Sequence, residues 1–123
     1  MVGGVSPGRE TAWLALSDLF LDTDLDEADI ASIAARLRAT GIGVEELERI
    51  YVEEVAPVCW RNLRTLPGGA WSGFEPSALR GAIEAHLQRP PLLHRWATLH
   101  RLRTARWTAD TRADWGRVRR LLA

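Results

Sequence analysis

Carboxylates at alternate positions between the first two predicted helices are the residues whose spacing most resembles a chemical site. Asp22, Asp24 and Asp26 match the D-x-D-x-D start of a calcium-binding loop. That loop also requires glycine at its sixth position and a bidentate glutamate at its twelfth, where this chain has Glu27 and Ile33. We therefore predict no metal site here, and we interpret Asp26 as the N-cap of a helix.

Other groups that ordinarily bind metals or attack substrates are isolated in this sequence. Cys59 is the only cysteine, and its apolar neighbours predict a buried, inert thiol, which fits a reducing cytoplasm. His86, His94 and His100 lack the spacing of a zinc site, and no nucleophile motif or phosphate loop is present. We therefore expect no catalytic residues and no cofactor, and a small enzyme of unrecognised type is an alternative only.

The amino-terminal sequence MVGGVSPGRE lacks the basic and then apolar pattern of a secretory signal. No apolar run approaches the roughly 18 residues that a membrane-spanning helix needs. We expect a cytoplasmic protein without a membrane partner.

Charge is segregated along the chain. Residues 1–60 contain 4 Arg and 12 Asp or Glu, whereas residues 61–123 contain 12 Arg and 4 Asp or Glu. The two net charges, −8 and +8, cancel in the whole chain, but surfaces of opposite sign steer partners or dock on each other. We predict that the acidic half binds a protein partner through one face, formed by Asp22, Asp24, Asp26, Glu27, Glu45, Glu46 and Glu48.

The basic half ends in a segment in which arginines alternate with tryptophans. Three interpretations stay open: it packs on the acidic half of its own chain, which we favour, or it binds nucleic acid, or it binds an acidic protein. The overall pI near 6.8 is far below that of a dedicated nucleic-acid binder. The alternative basic face comprises Arg95, Arg101, Arg103, Arg106 and Arg117, interleaved with Trp96, Trp107 and Trp115.

A glycine-rich loop carries two aromatic residues, Trp71 and Phe74. Glycines on both sides let a short loop fold tightly, and we favour aromatic side chains that complete the core. The alternative is an exposed aromatic anchor for a partner.

Helical spacing dominates the chain, and β-strand alternation is almost absent. Pro7, Asp26 and Pro76 are placed to start helices, and Gly41 is placed to end one. Pro57 either kinks a third helix or opens a short new one, and Glu54 next to it is placed to turn inward, towards Arg61 or a free backbone N–H. The sequence predicts a single all-α domain over residues 1–123, a compact bundle of five to seven short helices.

Three stretches together resemble a family of small, uncharacterised bacterial helical domains of unknown function. The likeness covers about residues 9–88 and leaves the Arg- and Trp-rich segment 92–123 outside as an extension. The resemblance implies a small, mainly helical bacterial protein, and it supplies no activity or catalytic residue; Ala70 stands where the pattern has an acidic residue. The matching stretches are WLALSDLFLDT at 13–23, EEVAP at 53–57 with NL at 62–63, and GAWSGF at 69–74.

Charge segregation without a catalytic motif favours a protein–protein interaction module. An immunity-type or antitoxin-type inhibitor of a bacterial partner protein is one form of such a module, because it acts by surface complementarity and needs no active site. Nucleic-acid binding through the Arg- and Trp-rich helices is the alternative.

Overall fold

The computed structural model describes residues 7–21, 25–60, 76–88 and 97–123, with side chains from residue 102 onward in the last range. Every regular element in these ranges is a helix, so the predicted all-α fold is confirmed. A 3₁₀ turn, Asp18–Phe20, extends α1, and a π-helical turn, Tyr51–Val55, joins α3 to α4, which leaves six continuous helical stretches within these ranges. The α-helices are α1 (Pro7–Ser17), α2 (Glu27–Ala39), α3 (Val44–Ile50), α4 (Ala56–Cys59), α5 (Pro76–Leu87), α6 (Ala97–Thr108) and α7 (Arg112–Leu122).

Local sequence signals set the ends of α2. The Asp26 side chain accepts a hydrogen bond from the Asp29 amide at 2.8 Å, and the Asp29 side chain accepts one from the Asp26 amide at 3.1 Å. This reciprocal capping box satisfies two amides that the first turn leaves without helical partners. After α2, Gly41 has a φ of +74°, the left-handed conformation that glycine adopts without steric cost. Both predicted boundaries are therefore confirmed.

Pro57 explains the π-helical turn in the middle of the third helical stretch. Proline has no amide hydrogen, and its ring crowds the carbonyl four residues earlier, at Glu53. The wider π turn accommodates this crowding. After it, Cys59 is 1% exposed, so its predicted burial is confirmed, and Val58 is half-buried.

Residues from both ends of the chain build the core. Trp115 of α7 stacks on Tyr51, with ring centroids 5.1 Å apart and planes 25° apart, and both side chains are at most 1% exposed. The carboxyl-terminal helix is therefore part of the core and not an appendage. The largest fully buried side chains include Trp13, Leu16, Leu19, Phe20, Ile33, Leu37, Leu47, Ile50, Val55 and Ile83.

Hydrogen bonds hold α7 between α2 and α3. On the α2 side, Arg117 donates to the Leu25 carbonyl at 3.0 Å, and Arg38 donates to the Leu121 carbonyl at 2.5 Å. The buried Tyr51 and Thr111 hydroxyls lie 2.7 Å apart, so the Thr111 side chain bonds to Tyr51 and does not cap α7. These contacts position the arginines of α7 over the acidic helix α3.

Candidate functional site

Three donors of α7 converge on one carboxylate of α3. Arg112 Nη1 lies 3.1 Å from Glu48 Oε2, and Trp115 Nε1 lies 2.9 Å from Glu48 Oε1. Arg119 also donates to Glu48 Oε1, and its second terminal nitrogen lies 3.4 Å from Glu45 Oε2. Basic residues of the second half thus dock on the acidic half of the same chain, as the favoured interpretation of the basic segment requires.

The environment of Glu48 stabilises its ionised form. Partial burial raises the pKa of this carboxyl, but hydrogen bonds from Trp115 and Arg112 outweigh that effect. The net result is a pKa of Glu48 below its usual value. Glu48 is therefore ionised at neutral pH, and its charge is already paired with donors of α7.

The other carboxylates of this stretch form an exposed row, which we call the acidic ridge: Glu45, Glu46 and Glu53. Their side chains are 87%, 41% and 47% exposed, respectively. Arg49 lies between two of them, donating to Glu46 at 3.0 Å through Nε and lying 3.9 Å from Glu53. The hydrogen bond from Arg49 lowers the pKa of Glu46, with burial opposing it. Glu46 is therefore ionised at neutral pH, and all three side chains of the ridge face solvent.

The described residues of the predicted acidic face belong to two helices. Asp26 and Glu27 are exposed at the first turn of α2, where Asp26 serves as the N-cap. Glu45, Glu46 and Glu48 belong to α3, the next helix along the chain. Whether the two groups act as one face stays a prediction.

Several predicted site residues lie outside the described part of the chain. They are Asp22 and Asp24 of the acidic face, Trp71 and Phe74 of the aromatic loop, and Arg95 of the basic face. Their predicted roles stay predictions.

The remaining residues of the predicted basic face differ in their contacts and exposure. Arg117 is bonded to the Leu25 carbonyl and also to Asp114, at 3.1 Å. Arg103 and Arg106 are exposed on α6, and Arg106 lies over the ring of Trp60, 5.3 Å from its centroid. Arg101 also belongs to α6, and its side chain lies outside the described part.

Glu54 is a buried carboxylate whose described partners are residues that the sequence did not indicate. It is 2% exposed and accepts hydrogen bonds from Trp13 Nε1 at 2.8 Å and from Arg9 Nε at 3.1 Å. The predicted inward orientation is confirmed, whereas the predicted partner Arg61 lies outside the described residues. Arg9 and Trp13 are four residues apart on one face of α1, and that spacing is the signal that would have identified them.

Sequence reasoning also missed an ion pair that bridges the first two helices. Asp18 Oδ2 lies 2.5 Å from Arg36 Nη1 of α2.

One small cavity, of about 250 Å³, lies between α1 and α5. Two of its lining residues, Glu10 and Arg80, form an ion pair with an oxygen–nitrogen distance of 3.1 Å. The cavity is lined by Glu10, Trp13, Leu14, Pro76, Ser77, Leu79 and Arg80.

Within the described ranges, no three metal-ligating side chains come together, and every buried side-chain nitrogen or oxygen has a partner. Burial raises the pKa of the Cys59 thiol to about 12, so this thiol stays protonated at neutral pH.

Comparison with known families matches residues 7–121 to a single family description. The chain belongs to DUF7079, a domain of unknown function. The DUF7079 match reaches beyond residues 9–88 and includes α6 and nearly all of α7, the segment that the resemblance left outside the family. No curated protein and no solved structure matches the chain. Among the described helices of this DUF7079 chain, none combines the length and apolar character needed to cross a membrane.

Proposed function

We propose that this DUF7079 protein is a non-catalytic protein-binding module whose acidic ridge docks on a basic surface of another protein. In the form that we favour, it is an immunity-type or antitoxin-type inhibitor, a cytoplasmic bacterial protein that blocks its partner by covering it. Such inhibitors rely on shape and charge complementarity.

The uneven use of the carboxylates on α3 supports this proposal. Glu48 is neutralised by α7 within the chain, whereas Glu45 is 87% exposed and has only a 3.4 Å contact with Arg119. Exposed charges of one sign raise the association rate with an oppositely charged partner. Glu45 therefore supplies an exposed charge for docking even after the basic helix of the same chain has packed.

Nucleic-acid binding has less support from the described residues. Arg112, Arg117 and Arg119 are all bonded to oxygen atoms of their own chain. Trp115, one of the tryptophans that alternate with the arginines, is 1% exposed and stacked on Tyr51, so it offers no face to a base. The segment therefore has fewer free groups for phosphates and bases than its composition indicates.

The first test is capture of the tagged full chain from a nuclease-treated lysate of its own host, followed by mass spectrometry of co-purifying proteins. A purified partner would then be measured for association rate against Glu45→Arg. Glu84→Arg is the control, because Glu84 is a part-exposed carboxylate of α5 and lies outside the predicted acidic face. We expect Glu45→Arg to slow association several-fold and Glu84→Arg to leave it nearly unchanged.

Equal association of the wild type and Glu45→Arg would refute the ridge as the docking face. If the partner is a toxin, the wild-type chain should restore growth of cells that express it, and Glu45→Arg should restore growth less well. Nucleic acid in place of a protein, released by the nuclease, would favour the basic segment as the functional element.

A further inference from the structure

Helix α6 carries three arginines, and the two whose side chains are described are not neutralised in the way that Arg112, Arg117 and Arg119 of α7 are. Residues 97–108 include no Asp or Glu. Arg112 and Arg119 of α7 form ion pairs with α3, and Arg117 pairs with Asp114. Within the described part of the chain, Arg103 and Arg106 form no such pair, and both are exposed. Folding therefore leaves a cationic helix at the surface.

The same face has the features of a protein-binding surface. Leu102 is 64% exposed, more than Leu87 at 46% or Leu121 at 47%. Arg106 is held over the Trp60 ring, which limits its motion before a partner arrives. An apolar side chain flanked by arginines suits an acidic protein surface, because arginine forms strong paired hydrogen bonds to carboxylates.

The fold itself shows how an arginine-bearing helix docks on α3. Arg112 and Arg119 of α7 are two turns apart and together hold Glu48 and Glu45. Arg103 and Arg106 of α6 are adjacent on a helix face, at i and i+3, and so can present two guanidinium groups to one row of carboxylates. The acidic ridge is such a row, and every copy of the chain carries it.

We propose that α6 of one copy binds the acidic ridge of a second copy. This inference rests on the ridge being a docking surface, as proposed above, and it names one partner. Helix α6 packs against α4 and the π turn, which continue α3, so the ridge and α6 lie along the same helical stretch. From Glu45 to Trp60 this stretch is about 22 Å long. An antiparallel two-fold pairing would place each basic end on the acidic end of the other copy.

The test is a charge exchange between two variants of the full chain, read by sedimentation velocity over a range of protein concentrations. The first variant combines Arg103→Glu with Arg106→Glu, and the second combines Glu45→Arg with Glu53→Arg. Arg120→Glu is the matched control, since Arg120 is an exposed arginine on α7. Far-UV circular dichroism checks that each variant is helical.

We expect the wild type and Arg120→Glu to self-associate, and each double variant alone to do so at least about tenfold more weakly, because like charges then face each other. An equimolar mixture of the two double variants should regain the wild-type affinity, since every contact again joins opposite charges. Self-association should also weaken as salt rises from about 0.1 M to about 1 M, where the screening length falls from about 10 Å to about 3 Å.

A wild-type chain that stays monomeric at all concentrations would overturn the inference, as would self-association that the double variants leave unchanged. Failure of the mixture to recover affinity would overturn it too. The proposed function would survive these results if a partner protein still loses affinity for Glu45→Arg. Conversely, the mixture of double variants could regain full affinity while a partner protein binds Glu45→Arg as fast as the wild type. That result would refute the proposed function and leave the self-association inference standing.

Discussion

The contact between Glu48 and α7 gives the sharpest prediction for stability. Glu48→Gln removes the charge that faces Arg112 and Arg119, while an amide oxygen remains to accept from Trp115. The two arginine side chains are 48% and 38% exposed, so each ion pair contributes only about 0.2–1 kcal/mol after solvent screening. Loss of charge from the Trp115 hydrogen bond adds about 1 kcal/mol. The free energy of unfolding should fall by about 2 kcal/mol in total.

Urea denaturation followed by far-UV circular dichroism measures this loss, which should lower the midpoint by about 1 M. Glu53→Gln is the matched control, because Glu53 is 47% exposed and its contact with Arg49 is 3.9 Å long. We expect the control to change the free energy of unfolding by less than about 0.5 kcal/mol.

The pH dependence gives an independent check. Because the pKa of Glu48 is lowered in the folded state, its charge stabilises the fold above the unfolded value near 4.5, and this contribution is lost as pH falls through the folded pKa. The difference between wild type and Glu48→Gln should therefore be largest near neutral pH and shrink under acidic conditions. A difference that is constant with pH, or no larger than that of Glu53→Gln, would refute the role assigned to Glu48.

Three further predictions concern other parts of the fold. Glu54→Ala should lower the free energy of unfolding in urea by about 2–4 kcal/mol, because it removes the acceptor of the buried Trp13 Nε1 and the closer carboxylate partner of Arg9, which keeps a 3.4 Å contact with Glu46. A loss below about 1 kcal/mol would contradict this. Gly41→Ala should destabilise the fold by about 1–2 kcal/mol, because Gly41 has a φ of +74°, which alanine adopts only with strain. Gly81→Ala, at an exposed position inside α5, should stabilise the fold by about 0.5–1 kcal/mol, because alanine favours the helix. Melting temperatures that shift in the same direction for both variants would contradict this. Burial raises the pKa of Tyr51 to about 12, so the phenolate absorbance of this single tyrosine should stay low at pH 10. The free energy of unfolding should fall as pH rises from 10 towards 12, because the unfolded tyrosine ionises first. Half-ionisation of Tyr51 at pH 10 in the folded protein would refute this burial effect.

Local elements of the fold were predictable from sequence because their causes are local. Asp26 and Asp29 are three residues apart, so their capping box follows from spacing alone. Gly41 ends α2 for a reason that depends only on its own backbone. Pro57 predicted a disturbed helix and the apolar neighbours of Cys59 predicted its burial, but only the structure showed that the disturbance is a π turn.

The candidate site depended on contacts that no local pattern encodes. Arg119 and Glu48 are 71 residues apart in the chain, and Arg9 and Glu54 are 45 apart. The sequence showed that acidic and basic residues are segregated along the chain. It did not indicate which arginines of the basic half contact carboxylates of the acidic half. The packing of Trp115 on Tyr51 decided that α7 neutralises Glu48. By itself, then, the sequence determined the helices, their boundaries and the charge of each half, because these follow from neighbouring residues. Tertiary structure alone decided which charges pair and which stay exposed, because burial of distant apolar side chains sets the positions of the charges beside them.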